Sequence, residues 1–468
     1  MEKSASFNRS SPVDEAALVE PRSGATDGTD PLAVVAWHGL AWLSVSNCIG
    51  LLLGWLLLFP QMNGYLGEWT YGRWMPLHLN LNLYGWGSLP LVAWLLKVYH
   101  ADRPPAAEWS RAALWGWSAA LAVGAVSWLT GHGSGKLFLD WDGYARAVWA
   151  VATFFLWLVL AWSLRCHWLA ERHSASTRRV IKVAGLAALL FVPVILYWAA
   201  EPSVYPPVNP DTGGPTGASL LESTLGIVLI LLLLPHGVVK REPARWRTSL
   251  WVWILLAAEA ALSVAMGRGN SSHHLSREIL GLGSLIIWVA VLPVYFNSFQ
   301  WPPGARRWLT ACLCWWGILV VSSWVMFLPG ILDHCKFTDA LVGHSHMAMA
   351  GFLSSLNVFL LVCLLGQSGR GFCSTWAFYA WQAGTLGYVL TMFAAGWFES
   401  GDLGFTIVPG RICNLLYALR LLSGAVMTAA GIHWWVELSR SPGGKASPET
   451  GSRARPLSRA GRQPTETQ

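Results

Sequence analysis

Apolar runs long enough to cross a membrane recur along this 468-residue chain, and they restrict its fold more than any other feature. A helix of about 20 apolar residues spans the hydrocarbon core of a bilayer. Only 12% of the residues are charged and 54% are apolar, whereas roughly a quarter of a soluble domain is charged. The runs are continuous rather than alternating, which disfavours a membrane β-barrel. The sequence predicts an all-α, polytopic membrane protein and excludes a water-soluble enzyme or a disordered chain.

About twelve transmembrane helices are predicted from the apolar runs and the charged breaks between them. They cover residues 34–59, 76–98, 112–130, 147–165, 179–199, 218–239, 249–270, 275–298, 307–330, 342–366, 375–396 and 411–437. We therefore expect one transmembrane domain over 34–437. Residues 1–33 are predicted to be a disordered cytoplasmic segment, and residues 438–468 a disordered, basic cytoplasmic tail.

The charges of the short loops predict the orientation in the membrane. Loops on the side of the termini hold 15 Lys and Arg residues, whereas the opposite loops hold seven. We expect both termini to be cytoplasmic, in a multi-pass protein of the bacterial inner membrane. The net charge of +7 does not indicate nucleic-acid binding, because no basic stripe interleaves with aromatic residues.

Five histidines are predicted to lie at a similar depth, on the side opposite the termini. His78 lies near the outer entry of the second predicted helix. His273 and His274 lie at the outer end of the seventh, and His344 and His346 near the outer entry of the tenth. Each alone is typical of an interfacial histidine. Ionisable residues within a membrane are functional candidates by default, so five of them from three distant segments predict a shared functional region.

The spacing of His344 and His346 indicates two separate centres. Residues two apart on a helix point about 200° away from each other, so these two cannot bind one metal from a regular helix. Imidazole is a common axial ligand of haem iron. We expect a six-coordinate haem between His78 and the facing side of the tenth helix, and a five-coordinate haem on its other side. The open face of the second haem would point toward His273 and His274, which can bind a further metal.

These motifs resemble subunit I of the haem–copper oxidase superfamily, which includes the nitric oxide reductases, over residues 34–437. The pattern G-R-x-x-P-x-H-x-N of the cbb-type oxidases occurs at Gly72–Asn80, and T-D-x-x-x-G-H-x-H occurs at Thr338–His346. The resemblance implies the helical bundle of that subunit, with two haems, b-type favoured, and one non-haem metal.

The resemblance also implies a role for each histidine. His78 and His346 would bind the low-spin haem, and His344 would be the proximal ligand of the high-spin haem. The non-haem metal would be bound by His273 and His274.

Arginines near the outer haem edge are candidates for binding haem propionates, because Arg–carboxylate pairs are strong. Arg73 and Arg411 are two such residues. We favour Arg420, since its segment ALRLLSGAV resembles the Arg-bearing last helix of the cbb-type subunit. Each of these arginines is also consistent with a surface anchor.

The third ligand of the non-haem metal departs from the family pattern. The family takes it from a His in the outer part of the sixth helix, where the only His here is His236. His236 is predicted to lie about 20 Å too deep, so we reject it. Glu222 lies at the expected depth, and a carboxylate beside two imidazoles favours iron, with copper as the other possibility. Glu222 is equally consistent with an interfacial or proton-path acid.

A tyrosine of the family is also missing. The oxygen reductases crosslink it to a metal-ligand His, and the corresponding positions here are Gly226 and Gly267. The resemblance without this tyrosine favours two-electron reduction of NO over four-electron reduction of O2.

The predicted function is that of a catalytic, haem-binding membrane subunit of a respiratory terminal reductase, with Glu222, His273 and His274 as catalytic residues. Electrons would come from cytochrome c or quinol, through a haem-c or other electron-donor subunit, and pass to NO or O2. One alternative is a haem membrane protein with a degenerate metal site that acts as a gas sensor or electron conduit. Another is a transporter that uses histidines for proton coupling.

Overall fold

The computed structural model describes residues 30–168, 176–204, 221–239, 246–266, 276–402 and 404–440. They belong to one compact unit, Asp30–Ser441. These ranges are built from α-helices joined by short 3-10 turns and loops. The predicted terminal segments lie outside the described residues, apart from 30–33 and 438–440.

Sixteen α-helices are present in the described ranges. They are α1 (Pro31–Leu58), α2 (Tyr71–Asn80), α3 (Leu89–Val98), α4 (Ala107–Leu129), α5 (Gly143–His167), α6 (Ser176–Ala200), α7 (Leu221–Leu233), α8 (Trp246–Met266), α9 (Ser276–Ser284), α10 (Ile287–Phe296), α11 (Pro303–Met326), α12 (Ile331–Cys335), α13 (Asp339–His346), α14 (Ser354–Leu365), α15 (Thr375–Gly401) and α16 (Arg411–Arg440).

Eight helical stretches of the described chain are long and apolar enough to cross a membrane: 31–58, 107–129, 143–167, 179–200, 279–296, 303–326, 339–365 and 411–440. The prediction of an α-helical, multi-pass membrane protein is thereby confirmed in its coarse form. The other four predicted spans are also helical, at 71–98, 221–233, 246–266 and 375–401. They lie outside this set of eight, so the total of twelve spans stays a prediction.

The sixth predicted span is shorter than expected. We predicted helix over 218–239, whereas α7 ends at Leu233 and Pro235 lies in the turn that follows. Proline lacks the backbone N–H that would continue the helical bonding, and it disfavours helical geometry in the residue before it. His236 therefore lies in a turn rather than in the helix.

Both helices that carry the candidate low-spin haem ligands change to π-helical turns just after the histidine. Helix α2 continues as Leu81–Gly87 and helix α13 as Met347–Leu353. Such turns inside helices are frequent at functional sites. Two hydrogen bonds hold the continuing helices together: Trp86 Nε1 donates to Ser354 Oγ at 2.8 Å, and Asn357 Nδ2 donates to the Trp86 carbonyl at 2.8 Å.

The loop 131–142, between α4 and α5, folds inward instead of extending away from the helices. Lys136 is buried and donates from Nζ to the carbonyls of Ala199 and Glu201, at 2.6 and 2.5 Å, at the end of α6. Asp140 accepts from the backbone N–H of Gly135 at 2.6 Å. Burial raises the pKa of Asp140, although this hydrogen bond acts in the opposite direction. These bonds fix the loop against α6.

Candidate functional site

Two histidines from different helices face each other: His78 of α2 and His346 of α13. Their ring centroids are 6.4 Å apart and their planes differ by 21°. A bond between a metal ion and an imidazole nitrogen is about 2 Å long, so one metal between two imidazoles places the ring centroids roughly 6 Å apart. The observed pair thus has the separation expected for two axial ligands of one iron.

The backbone fixes the tautomer of both rings. Nδ1 of His78 lies 2.7 Å from the Ser46 carbonyl oxygen, and Nδ1 of His346 lies 2.8 Å from the Val342 carbonyl oxygen. A carbonyl oxygen can only accept, so each Nδ1 carries the proton and each Nε2 keeps its lone pair. Metal-binding histidines typically show this arrangement, which orients the ring and makes it a better ligand.

Close packing holds the two rings in place. Gly50 of α1 lies against His78, and a Cβ at this glycine would come within 2.8 Å of His78 Cε1. On the other side, the ring of Tyr388 from α15 stacks on His346 with centroids 4.1 Å apart. The absence of a side chain at Gly50 therefore allows the position of His78, and Tyr388 supports that of His346.

Both histidines line a cavity of about 270 Å³ between α1, α2, α13, α15 and α16. Its walls are mostly apolar, and Leu137 and Phe138 of the folded loop 131–142 close one side. A hydrogen bond of 2.7 Å from Tyr84 Oη to the Phe138 carbonyl fixes this loop over the cavity. An apolar space with a charged residue in its lining suits a flat, apolar cofactor that carries carboxylates.

The charged residue in the lining is Arg420 of α16. It is buried, and its Nη1 lies 3.3 Å from Asp339 Oδ1. Its guanidinium carbon lies 5.5 Å from the ring centroid of Tyr388 and 5.9 Å from that of Tyr417. The backbone N–H of Asp339 donates to Glu399 Oε2 at 2.5 Å. Tyr71 and Tyr388 also hydrogen-bond this guanidinium. A buried arginine in a cavity wall is suited to bind a carboxylate that enters the cavity.

Arg73 lies apart from this lining. It packs against Gly131 of the folded loop, where a Cβ would lie 1.4 Å from Arg73 Nη1. This Nη1 is buried and has no hydrogen-bond partner among the described residues. Arg411, at the first position of α16, is exposed. Of the three candidate arginines, Arg420 is the one that the structure places in the cavity with His78 and His346.

His344 points away from this cavity, toward α11. Its Nε2 lies 3.2 Å from Ser323 Oγ, and its Nδ1 is buried without a hydrogen-bond partner within the described chain. The π-helical turn begins only after His346, so both histidines lie on regular α-helix and face different neighbours. Ser323 Oγ donates its proton to the Leu319 carbonyl, so His344 Nε2 donates to Ser323 and Nδ1 keeps the lone pair. This is the reverse of His78 and His346, and in this arrangement a metal at His344 would have to bind through Nδ1.

The three predicted ligands of the non-haem metal are not placed. His273 and His274 lie in 267–275, outside the described residues. The backbone of Glu222 belongs to α7, but its side chain is also outside the described part. Within the described residues, no group of three or more His, Cys, Asp or Glu side chains could hold a metal ion.

His236 has a different environment from the one that a metal ligand would need. Its Nε2 lies 3.0 Å from Tyr295 Oη, and Tyr295 donates to the Leu232 carbonyl at 2.7 Å. The phenol proton is used in that bond, so Nε2 of His236 donates to the phenol oxygen. His236 thus links the end of α7 to α10.

Three residues of the site escaped the sequence analysis: Ser46, Gly50 and Tyr388. Asp339 belongs to the motif at Thr338–His346, but its ion pair with Arg420 was not predicted. One signal for Gly50 is present in the sequence, because Gly50 and Gly54 form a small-xxx-small pattern, which marks close helix approach in membranes. Nothing local distinguishes Ser46 or Tyr388, since their roles depend on the helices that pack against them.

The fold defines the chain as an α-helical, multi-pass membrane protein. No protein-family model matches the chain, and no curated protein matches it either. The assignment of a function therefore depends on the residues and the geometry described above.

Proposed function

We propose that this protein is the catalytic, haem-binding membrane subunit of a respiratory terminal reductase. The observation that carries the proposal is the pair of His78 and His346, whose rings are 6.4 Å apart across an apolar cavity. Both rings have Nδ1 bonded to a backbone carbonyl. This arrangement leaves two Nε2 lone pairs for one metal centre.

Haem iron supplies one-electron transfer when it is bound between two imidazoles. The residues of this chain would hold and orient it. Ser46 and Val342 fix the planes of the two ligand rings, and mostly apolar side chains would surround the cofactor. Arg420 would bind a propionate, while Asp339 keeps the guanidinium in place.

A second centre on the other face of α13 would carry out the chemistry. His344 would bind the high-spin haem, through the Nδ1 that has no partner in the described chain or through Nε2 after release of its bond to Ser323. His273, His274 and Glu222 would bind iron opposite that haem. Because Gly226 and Gly267 stand where the oxygen reductases carry a tyrosine, we favour NO over O2 as the substrate.

Electrons would reach the low-spin haem from cytochrome c or quinol, with a haem-c or other electron-donor subunit as partner. The positions of Lys and Arg in the loops support an orientation with both termini in the cytoplasm of a bacterial cell.

Haem content and spectra of single variants test this proposal. The purified chain should contain two haems. His346→Ala should remove the six-coordinate low-spin signature, whereas His344→Ala should remove only the haem that binds external ligands. His132→Ala is the matched control, because His132 is exposed on the loop 131–142. A chain purified with one haem or none, despite haem supply, would contradict the proposal.

Metal analysis tests the non-haem centre. Glu222→Ala should empty this site and leave both haems bound, whereas His236→Ala should change neither. Stoichiometric copper, or iron retained in Glu222→Ala, would exclude the proposed ligand set. Reduction of O2 would then be favoured over reduction of NO. Two haems without turnover of either gas would instead support a sensor or an electron conduit.

A further inference from the structure

A histidine stands at the end of α3 where the backbone favours glycine. The N–H of Ala101 donates to the Leu96 carbonyl at 2.8 Å, and the N–H of His100 donates to the Lys97 carbonyl at 3.3 Å. These two bonds form a Schellman motif, whose central residue adopts left-handed geometry and is usually glycine. His100 has φ +61°, which crowds its Cβ. The backbone therefore gives no reason for a side chain at this position.

The His100 ring lies beside His167, the last residue of α5. The two ring centroids are 5.6 Å apart, and the planes are tilted by 52°. Both residues are half-buried. Nδ1 of His167 lies 3.0 Å from the Ser163 carbonyl, so this nitrogen carries the proton and Nε2 keeps its lone pair.

The separation of the rings fits a shared metal ion. Two imidazoles bound to one metal at a tetrahedral angle place their centroids roughly 5 Å apart, and a linear arrangement increases this to roughly 6 Å. The observed 5.6 Å falls between these values. The bond from His167 Nδ1 to a backbone carbonyl is the usual outer support of a metal-binding histidine.

We propose that His100 and His167 form a binding site for a divalent transition-metal ion such as Zn²⁺. Imidazole suits Zn²⁺, Cu²⁺ and Ni²⁺, and water can complete the coordination. The bound ion would link the turn after α3 to the last turn of α5 and so stabilise this end of the molecule. His100 is roughly 30 Å along the helix axis from His78, so the site is independent of the proposed function.

Two variants test the site without disturbing the fold. His100→Gly removes one ligand and supplies the residue that the left-handed position favours. His167→Gln removes the other ligand and keeps a polar side chain. His132→Ala serves as the control, since His132 is exposed on the loop at the other end of α4.

The measurement is calorimetric titration of the purified full chain with ZnCl₂, together with its melting temperature with and without Zn²⁺. Other histidines can bind zinc as well. Binding at the proposed site is therefore identified as the binding that is lost in both variants and retained in the control. Mutating a residue that only supports a metal ligand typically lowers the metal affinity roughly 10–100-fold. Because each variant removes a ligand itself, the zinc affinity of this site should fall by more than that. The zinc-dependent rise in melting temperature should fall in both variants.

Titration with Cu²⁺ gives a second readout. Two imidazole nitrogens should be visible in the electron paramagnetic resonance spectrum of this site in the wild-type protein and absent in both variants. If zinc binding and the melting shift are unchanged in either variant, or if the control loses them equally, the site does not exist as proposed.

Discussion

Replacing Gly50 by alanine should displace the His78 ring from its position opposite His346. The new Cβ would lie 2.8 Å from His78 Cε1 and 3.2 Å from Nδ1. Non-bonded carbon atoms rest about 3.5–4.0 Å apart, so the ring would have to retreat by roughly 0.7 Å or more. Bonds to a metal tolerate deviations of only about 0.2 Å. The proposed bond between a haem iron and His78 should therefore be lost or strongly weakened.

The surroundings of His78 leave little room for compensation. Its Nδ1 is bonded to the Ser46 carbonyl on the same face of α1 as Gly50, and Ser46 Oγ donates to the His78 carbonyl at 2.9 Å. A retreat of the ring from α1 therefore also stretches the hydrogen bond that fixes its tautomer. If the proposed haem is bound there, we expect Gly50→Ala to convert its six-coordinate low-spin signature into a five-coordinate high-spin one, with little change in total haem.

The matched control is Gly54→Ala, one helical turn further along α1 and also in the cavity lining. Its Cβ would meet Leu421 Cδ1 at 3.3 Å, and this methyl group can move. Glycine is less favourable than alanine inside a helix by about 1 kcal/mol, so both substitutions raise the helix propensity by the same amount. Optical spectra and electron paramagnetic resonance of the oxidised proteins report the spin state. A wild-type spectrum in Gly50→Ala, or the same loss in Gly54→Ala, would refute the reasoning.

Three further predictions concern other parts of the molecule. Arg420→Met should destabilise the protein by about 3 kcal/mol, because it leaves the buried carboxyl groups of Asp339 and Glu399 without their cation. Thermal unfolding should show that adding Asp339→Asn restores most of the loss. Lys136→Met removes both hydrogen bonds to the end of α6 and should lower the stability of the folded loop by about 2 kcal/mol. The loop 131–142 should then be cleaved faster by a protease, and an unchanged rate of cleavage would exclude this role of Lys136. A reporter fused after Gln468 should be active in the cytoplasm, and activity only in the periplasm would overturn the topology.

The sequence predicted the class of fold because hydrophobicity over about 20 residues is a local property. Every predicted span overlaps a helix of the described chain. A helix can end earlier than predicted where a proline follows, as α7 does before Pro235. Local geometry also separated His344 from His346, since a spacing of two residues on a helix fixes opposite directions. The described helix α13 places them toward α11 and α2 respectively.

The sequence could not reveal the contacts between segments far apart in the chain. The ion pair of Arg420 with Asp339 spans 81 positions, and the bond of His78 to Ser46 spans 32. Which faces of these helices meet depends on the packing of the whole bundle. A contact between a side chain and a glycine of another helix gives only a weak signal in the sequence. The sequence had already favoured Arg420 over Arg73, and the packing places Arg420, and not Arg73, in the cavity lining.

The sequence by itself therefore determined that this is a helical membrane protein, because helix length, hydrophobicity and side-chain direction are set by neighbouring residues. The common depth of the candidate histidine ligands stays a prediction. Only the tertiary structure decided that His78 and His346 meet at 6.4 Å, with each Nδ1 bonded to a carbonyl. It also brought together His100 and His167, 67 positions apart. The physical reason is that a ligand site needs two rings at a fixed distance, and packing between separate helices sets that distance.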